Sequence, residues 1–261
     1  MRKIWKRKRT SRKNLLRKEA GKFMSSKTFL WIEDRKGKAS YQFWENFIKP
    51  LCPKVVIESK KNNSELVKAV RSLKDADNKY VIIFDNSFDN LQIVMEQKLL
   101  KQYADAKNNV FLMDIICFEY ILLEFENLIE WIYAPDDEFL EKRIRAIMAR
   151  KRLVDSITSG IRNYKEFQEI MEYNKHIENY NIEQLAAKLL FDLTRNTGFE
   201  VSKGTIGECW INGCCKWENR QENDTCGLDN NRLSIFDKMK CIYERTSLKE
   251  QFSKVKLEVL L

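Results

Sequence analysis

Short apolar segments alternate with amphipathic segments between residues 27 and 132, and this alternation constrains the fold more than any other feature of the chain. The segment YVIIFD (80–85) is apolar until its last residue, which is typical of a central parallel strand covered on both faces. TFLWIE (28–33), KVVIES (54–59) and NVFLMDI (109–115) are predicted to be further strands. Because parallel strands require crossover connections, the pattern predicts an α/β domain built on a parallel sheet.

The segments between and after these strands are predicted to be helices, because apolar residues recur in them at a spacing of three or four. The predicted helices span residues 40–52, 64–76, 91–106 and 118–132, and Ser64 is expected at the N-cap of the second. The predicted order is therefore β-α-β-α-β-α-β-α.

Composition divides the chain into three predicted parts. Residues 1–26 form a basic N-terminal arm, residues 27–132 the α/β domain, and residues 133–261 a mostly helical C-terminal domain. A turn at Pro135 opens the last part, which includes a Cys-containing segment at 205–231. The final segment, from Leu233 to Leu261, is predicted to be amphipathic.

The N-terminal arm holds the excess positive charge of the protein. The net charge is +9, and residues 2–22 contain about eleven Lys or Arg residues against the single acid Glu19. Such an arm favours binding to a nucleic-acid backbone, because neutralised phosphates release counterions; the alternative is a solubilising tail. The candidate phosphate contacts are Lys6, Arg7, Lys8, Arg9, Arg12 and Lys13.

Acidic residues follow two of the predicted strands. Glu33 ends the first strand, and Asp85 and Asp89 lie at the end of the third. Carboxyl ends of parallel strands share one sheet edge, where ligands bind, and carboxylates are the ligands that Mg²⁺ prefers. We expect Asp85 and Asp89 to be metal ligands and Glu33 to be a ligand or a general base. The alternatives are that these acids make turns, or that Asp89 caps the following helix.

This arrangement of strands and acids resembles the Toprim fold of topoisomerases, primases and the overcoming-lysogenization-defect nucleases. The tract CFEYILLEF, Cys117 to Phe125, resembles the segment after the fourth strand in RloB-like Toprim proteins of bacterial phage defence. The resemblance implies a site that uses Mg²⁺, or Mn²⁺ in its place, with Glu119 as a further ligand. The chain departs from the family in two places, since Asp34 replaces a frequent glycine and Asp85-Asn86-Ser87 replaces an Asp-x-Asp pair.

Three functions follow as hypotheses. The first is a Mg²⁺-dependent nuclease, an effector of anti-phage defence that cleaves DNA or a structured RNA. The second is a non-catalytic Toprim-like module that binds nucleic acid or a partner protein, because the Asp-x-Asp pair is incomplete. The third is a regulatory subunit whose C-terminal Cys-containing segment makes an obligate oligomer. The expected protein partners are further copies of the chain, in a homo-oligomer, or a defence-system protein.

The cysteines and the apolar segments bear on cofactors and location. Cys209, Cys214, Cys215 and Cys226 lack the C-x2-C knuckles of zinc ribbons, so reduced structural thiols are favoured over a Zn²⁺ site. The single His176 argues against nucleophilic catalysis that needs a histidine base. The odd number of cysteines, seven, and a basic N-terminus without an apolar core predict a cytoplasmic protein, and no segment predicts a membrane helix.

Overall fold

The structure is a computed structural model of the 261-residue chain. It describes residues 26–133, 138–160, 181–202, 204–215, 226–228 and 232–260. His176 and the candidate arm residues lie outside these ranges; the latter are Lys6, Arg7, Lys8, Arg9, Arg12 and Lys13.

The N-terminal part of the described chain forms a four-stranded sheet in which all pairings are parallel, in the order β2-β1-β3-β4. The strands are β1 (Thr28–Ile32), β2 (Val55–Ser59), β3 (Lys79–Asp85) and β4 (Val110–Ile115). Ile32 lies opposite Ser59 on one side and Ile83 on the other, so the carboxyl ends of these strands meet at one edge. The predicted parallel sheet is confirmed, and its order is consistent with a Toprim-like fold.

The helices after the strands are α1 (Ala39–Leu51), α2 (Asn63–Ser72), α3 (Leu91–Asp105), α4 (Phe118–Glu124) and α5 (Leu128–Ile132). Two details of the prediction are wrong. The N-cap of α2 is Asn62, whose side chain accepts a hydrogen bond from the Glu65 backbone, and not Ser64. The single helix expected at 118–132 is two helices.

The break after α4 has a local cause. The Arg150 guanidinium donates hydrogen bonds to the carbonyl groups of Leu123 and Glu124. These carbonyls at the end of the helix would otherwise lack partners, so a side chain from elsewhere in the chain stabilises the early ending. Phe125 then adopts an extended backbone conformation.

The C-terminal part of the described chain is helical. Its helices are α6 (Leu140–Thr158), α7 (Ile182–Thr194), α8 (Glu208–Ile211), α9 (Ile235–Glu244) and α10 (Leu248–Lys254). The fold class is therefore confirmed: a parallel α/β sheet followed by a helical region with several cysteines. Among the described helices, none has both the length and the apolar composition to cross a membrane.

The two faces of the sheet pack into separate hydrophobic cores. On one face, Ile82 and Phe84 pack with Leu66 of α2 and Leu100 of α3. On the other, Ile83 shares a larger core with buried residues of α1 and of the C-terminal helices, among them Trp44, Phe47, Leu189, Met239 and Phe252. Helix α7 also packs against α4 and α6. The C-terminal region thus covers one face of the sheet, while the predicted boundary at residue 132 stays a prediction.

Candidate functional site

Acidic side chains from four separate elements meet at the carboxyl edge of the sheet. They line a cavity of about 260 Å³ together with Lys38 and Ser40. Glu33 and Asp34 follow β1, Asp85 ends β3, Glu119 lies in the first turn of α4, and Glu183 lies in the first turn of α7. Sequence reasoning placed Glu33, Asp85 and Glu119 at this edge, and the structure brings all three together.

Asp85 is the most deeply placed of these acids, since its side chain is 8% exposed. Burial raises the pKa of its carboxyl well above the usual value. The negative charges of Glu33, Glu183, Glu119 and Asp34 raise it further, in that order. The ionised form of Asp85 therefore needs a compensating positive charge.

Glu33 is in a similar environment. Burial raises the pKa of its carboxyl, the charges of Asp34 and Glu183 add to the shift, and a hydrogen bond from the Asp85 backbone opposes it. Among the described residues, its Oε2 atom is buried and has no hydrogen-bond partner. A buried carboxylate oxygen without a partner is costly unless a ligand supplies one.

The pKa of Glu119 is also shifted by burial and by neighbouring charges. Burial raises the pKa of its carboxyl to about 8, and the charge of Glu183 contributes. Hydrogen bonds from its own backbone and from the Cys117 side chain lower the pKa and oppose this shift. The pKa of the Cys117 thiol is itself raised by burial, so this thiol stays protonated as a donor. Glu119 therefore keeps its proton to a higher pH than an exposed glutamate does.

Two helix N-termini face the acids. Lys38 is the N-cap of α1 and Ser40 lies in its first turn, while Glu183 and Gln184 lie in the first turn of α7. The positive end of a helix dipole favours negative charge nearby. These helices therefore offset part of the repulsion among the carboxylates.

Asp89 forms a hydrogen bond with the start of α7. Its Oδ2 accepts a hydrogen bond of 2.9 Å from the backbone N–H of Ile182, the first residue of α7. Helix α3 is capped by Asn90 instead, whose side chain accepts from the Gln92 and Ile93 backbones. Asp89 therefore attaches the loop after β3 to the helix that carries Glu183. Its role as a metal ligand stays a prediction.

Sequence reasoning missed Glu183, Lys38 and Ser40. A glutamate in the first turn of a helix is common on its own account, because it complements the helix dipole. Asn181 accepts from the Gln184 backbone as the N-cap of α7, so this helix start is recognisable from sequence. Its proximity to Asp85 is not, because it depends on the packing of α7.

The acids fit a divalent cation bound through few protein ligands. Among the described residues, no group of three or more His, Cys, Asp or Glu side chains is arranged to hold a metal ion. Mg²⁺, however, is usually bound by one or two carboxylates, with water and substrate phosphate completing its shell. The donors here are all hard oxygen atoms, and the buried Oε2 of Glu33 has no partner in the described part.

Three of the described cysteines between residues 209 and 226 pack against the larger hydrophobic core. Cys209, Cys214 and Cys226 are partly buried and Cys215 is exposed. Burial raises the pKa of the Cys209 thiol to about 11, and the charge of Lys238 opposes this. Among the described residues, no group of three or more His, Cys, Asp or Glu side chains is arranged to hold a metal ion. Zn²⁺ binding at these cysteines stays a prediction.

Comparison of the chain with protein-family models, with curated proteins and with solved structures gave no significant match.

Proposed function

We propose that the protein is a nuclease that uses Mg²⁺, or Mn²⁺ in its place, to cleave phosphodiester bonds of DNA or a structured RNA. The observation that carries the proposal is the convergence of Glu33, Asp85 and Glu119 at the carboxyl edge of a parallel sheet. Burial and mutual repulsion raise the pKa of all three, and a bound cation would relieve both penalties.

Each residue has a role in this proposal. Asp85 and Glu33 would hold the cation, with Glu119 close by. When bound, the ion supplies positive charge that polarises a phosphate group. Glu119, which lines the same cavity, would transfer a proton to or from a reacting oxygen. The Lys38 ammonium at the cavity wall attracts the substrate phosphate.

The proposed biological context rests on the segment from Cys117 to Phe125, which resembles a segment of RloB-like Toprim proteins. It suggests an effector of bacterial anti-phage defence that acts in the cytoplasm. The basic arm at residues 1–26 would add contacts to the nucleic-acid backbone.

The test is a cleavage assay with the purified full chain. Fluorescent single-stranded and duplex DNA and a folded RNA are incubated with Mg²⁺, with Mn²⁺, or with EDTA. Cleavage is expected only with a metal ion, and it should fall to background in Asp85→Asn. The exposed Asp105 at the end of α3 provides the matched control Asp105→Asn, which should cleave normally.

The second candidate is a non-catalytic module, which one observation favours. Asp89 is the acid that would replace the missing second member of the Asp-x-Asp pair. Its carboxylate instead accepts a hydrogen bond from the Ile182 backbone N–H. If the wild-type chain cleaves none of the substrates with either ion but binds them in EDTA, the nuclease proposal is rejected and the binding module is favoured.

A further inference from the structure

A basic groove lies beside the acidic cavity, along the outer strand β2. The groove has a volume of about 760 Å³ and is lined by the loop after β1 and the end of β2. Arg35 and Lys36 come from the first of these, and Lys61 follows the second. All three side chains are exposed.

A third cavity of about 400 Å³ lies between the groove and the acidic cavity and shares lining residues with each. Lys61 lines both the groove and this middle cavity. Glu33 and Asp34 line both the middle cavity and the acidic one. The three cavities therefore follow one another along the carboxyl ends of the strands, from positive side chains to the acids.

The positive charges of the groove are available to a ligand. Glu58, the acid on the groove wall, forms a salt bridge of 2.8 Å with Lys60, which also lies over the Trp31 ring. Within the described ranges, no ion pair engages Arg35, Lys36 or Lys61. The hydrogen bond and the charge of Lys68 lower the pKa of Glu65 most, the charge of Lys61 contributes least, and Glu65 forms its salt bridge with Lys68.

Two turns with positive φ values place these cations. Gly37 has φ +88° in the turn closed by the bond from the Lys38 N–H to the Arg35 carbonyl. Lys61 has φ 76°, a conformation that a long side chain rarely adopts and that Gly or Asn would adopt at lower cost. Its N–H donates to the Ser59 hydroxyl. Such strain is typical of functional positions.

We propose that this groove binds the phosphodiester backbone of a nucleic-acid strand and guides it to the acidic cavity. Arg35, Lys36 and Lys61 contact phosphate groups, because exposed cations that line one groove release counterions from a backbone of any base sequence. The bound strand runs from β2 towards β3. The assignment deepens the proposed function, since it names the path of the substrate to that site.

The test measures binding separately from cleavage. Fluorescence anisotropy in EDTA measures the affinity of the full chain for single-stranded DNA, single-stranded RNA and duplex DNA over a range of salt concentrations. The variant combines Arg35→Gln, Lys36→Gln and Lys61→Asn, the last because Asn tolerates positive φ. Its affinity should fall about tenfold or more. The salt slope for a single strand should fall by about 2, at about 0.7 per lost phosphate contact.

The control removes the same charge elsewhere. Lys98→Gln, Lys101→Gln and Arg152→Gln change exposed cations of α3 and α6 that line none of the three cavities. Equal loss in both variants, or an unchanged affinity and slope in the groove variant, overturns the proposal. Loss confined to the groove variant supports it, even if the wild-type chain fails to cleave. The groove and the nuclease proposals can therefore fail independently.

Discussion

The carboxylate of Asp89 accepts a hydrogen bond of 2.9 Å from the backbone N–H of Ile182. This bond joins the loop after β3 to the first residue of α7, and so links one of the two inner strands of the sheet to the C-terminal helices. Glu183 is the next residue, and its charge acts on Glu33, Asp85 and Glu119. A contact outside the cluster of acids thus helps to assemble it.

The first prediction concerns this bond. Asp89→Ala should lower the free energy of unfolding by about 0.5–2 kcal/mol, the usual cost of losing a helix-capping acceptor. Asp89→Asn should retain most of the stability, because its amide oxygen accepts the same bond. Urea unfolding measures both. Calorimetric titration of Mg²⁺ into Asp89→Asn tests the ligand role. If Mg²⁺ affinity and stability are both near normal, Asp89 only accepts the bond from Ile182. If Mg²⁺ affinity is lost, Asp89 is a metal ligand.

The second prediction concerns Glu183. Glu183→Gln should weaken Mg²⁺ binding by about tenfold or more, because the cluster loses a negative charge that attracts the cation. It should also raise the melting temperature without divalent ions, since repulsion among buried carboxylates falls. Titration calorimetry and thermal unfolding measure the two effects. Glu141→Gln is the matched control, as Glu141 is an exposed glutamate in the first turn of α6. Unchanged Mg²⁺ affinity in Glu183→Gln would exclude Glu183 from the site.

The third prediction is a pH dependence. The pKa of Glu119 is raised in the folded state, from 4.5 to about 8, so folding favours its protonated form. This contribution to stability is complete below pH 4.5 and is lost as the pH rises through about 8. Without divalent ions, the melting temperature should therefore fall between pH 5 and pH 8.5. Glu119→Gln should make this fall shallower, because the amide stays neutral. An equal fall in both proteins contradicts the raised pKa.

The fourth prediction concerns Lys238 beneath the cysteine segment. Lys238 is fully buried, and its ammonium donates to the carbonyl groups of Cys209 and Asn212. Lys238→Met should destabilise the protein by about 1–3 kcal/mol, because these carbonyls lose their donor. Cys209 should then react faster with a thiol reagent. Lys240→Met, on the same helix and partly exposed, is the control. If thiol reactivity is unchanged while stability falls, Lys238 supports the core without holding the cysteine segment in place.

The sheet was largely predictable from the sequence because its strands carry local signals. Residues 80–85 are apolar up to Asp85, and β3 spans Lys79–Asp85. The break between α4 and α5 was not predictable. The break is stabilised by the Arg150 side chain of α6, and the sequence of residues 118–132 does not indicate this contact.

The position of Glu33 and Asp85 at one edge was predictable from the sequence, because all parallel strands of a sheet end on the same side. The proximity of Glu183 to these acids and the hydrogen bond from Ile182 to Asp89 follow from the three-dimensional packing. Both depend on how α7 packs against α4 and α6. Helix packing is set by the shapes of buried surfaces distant in sequence, which local periodicity does not encode.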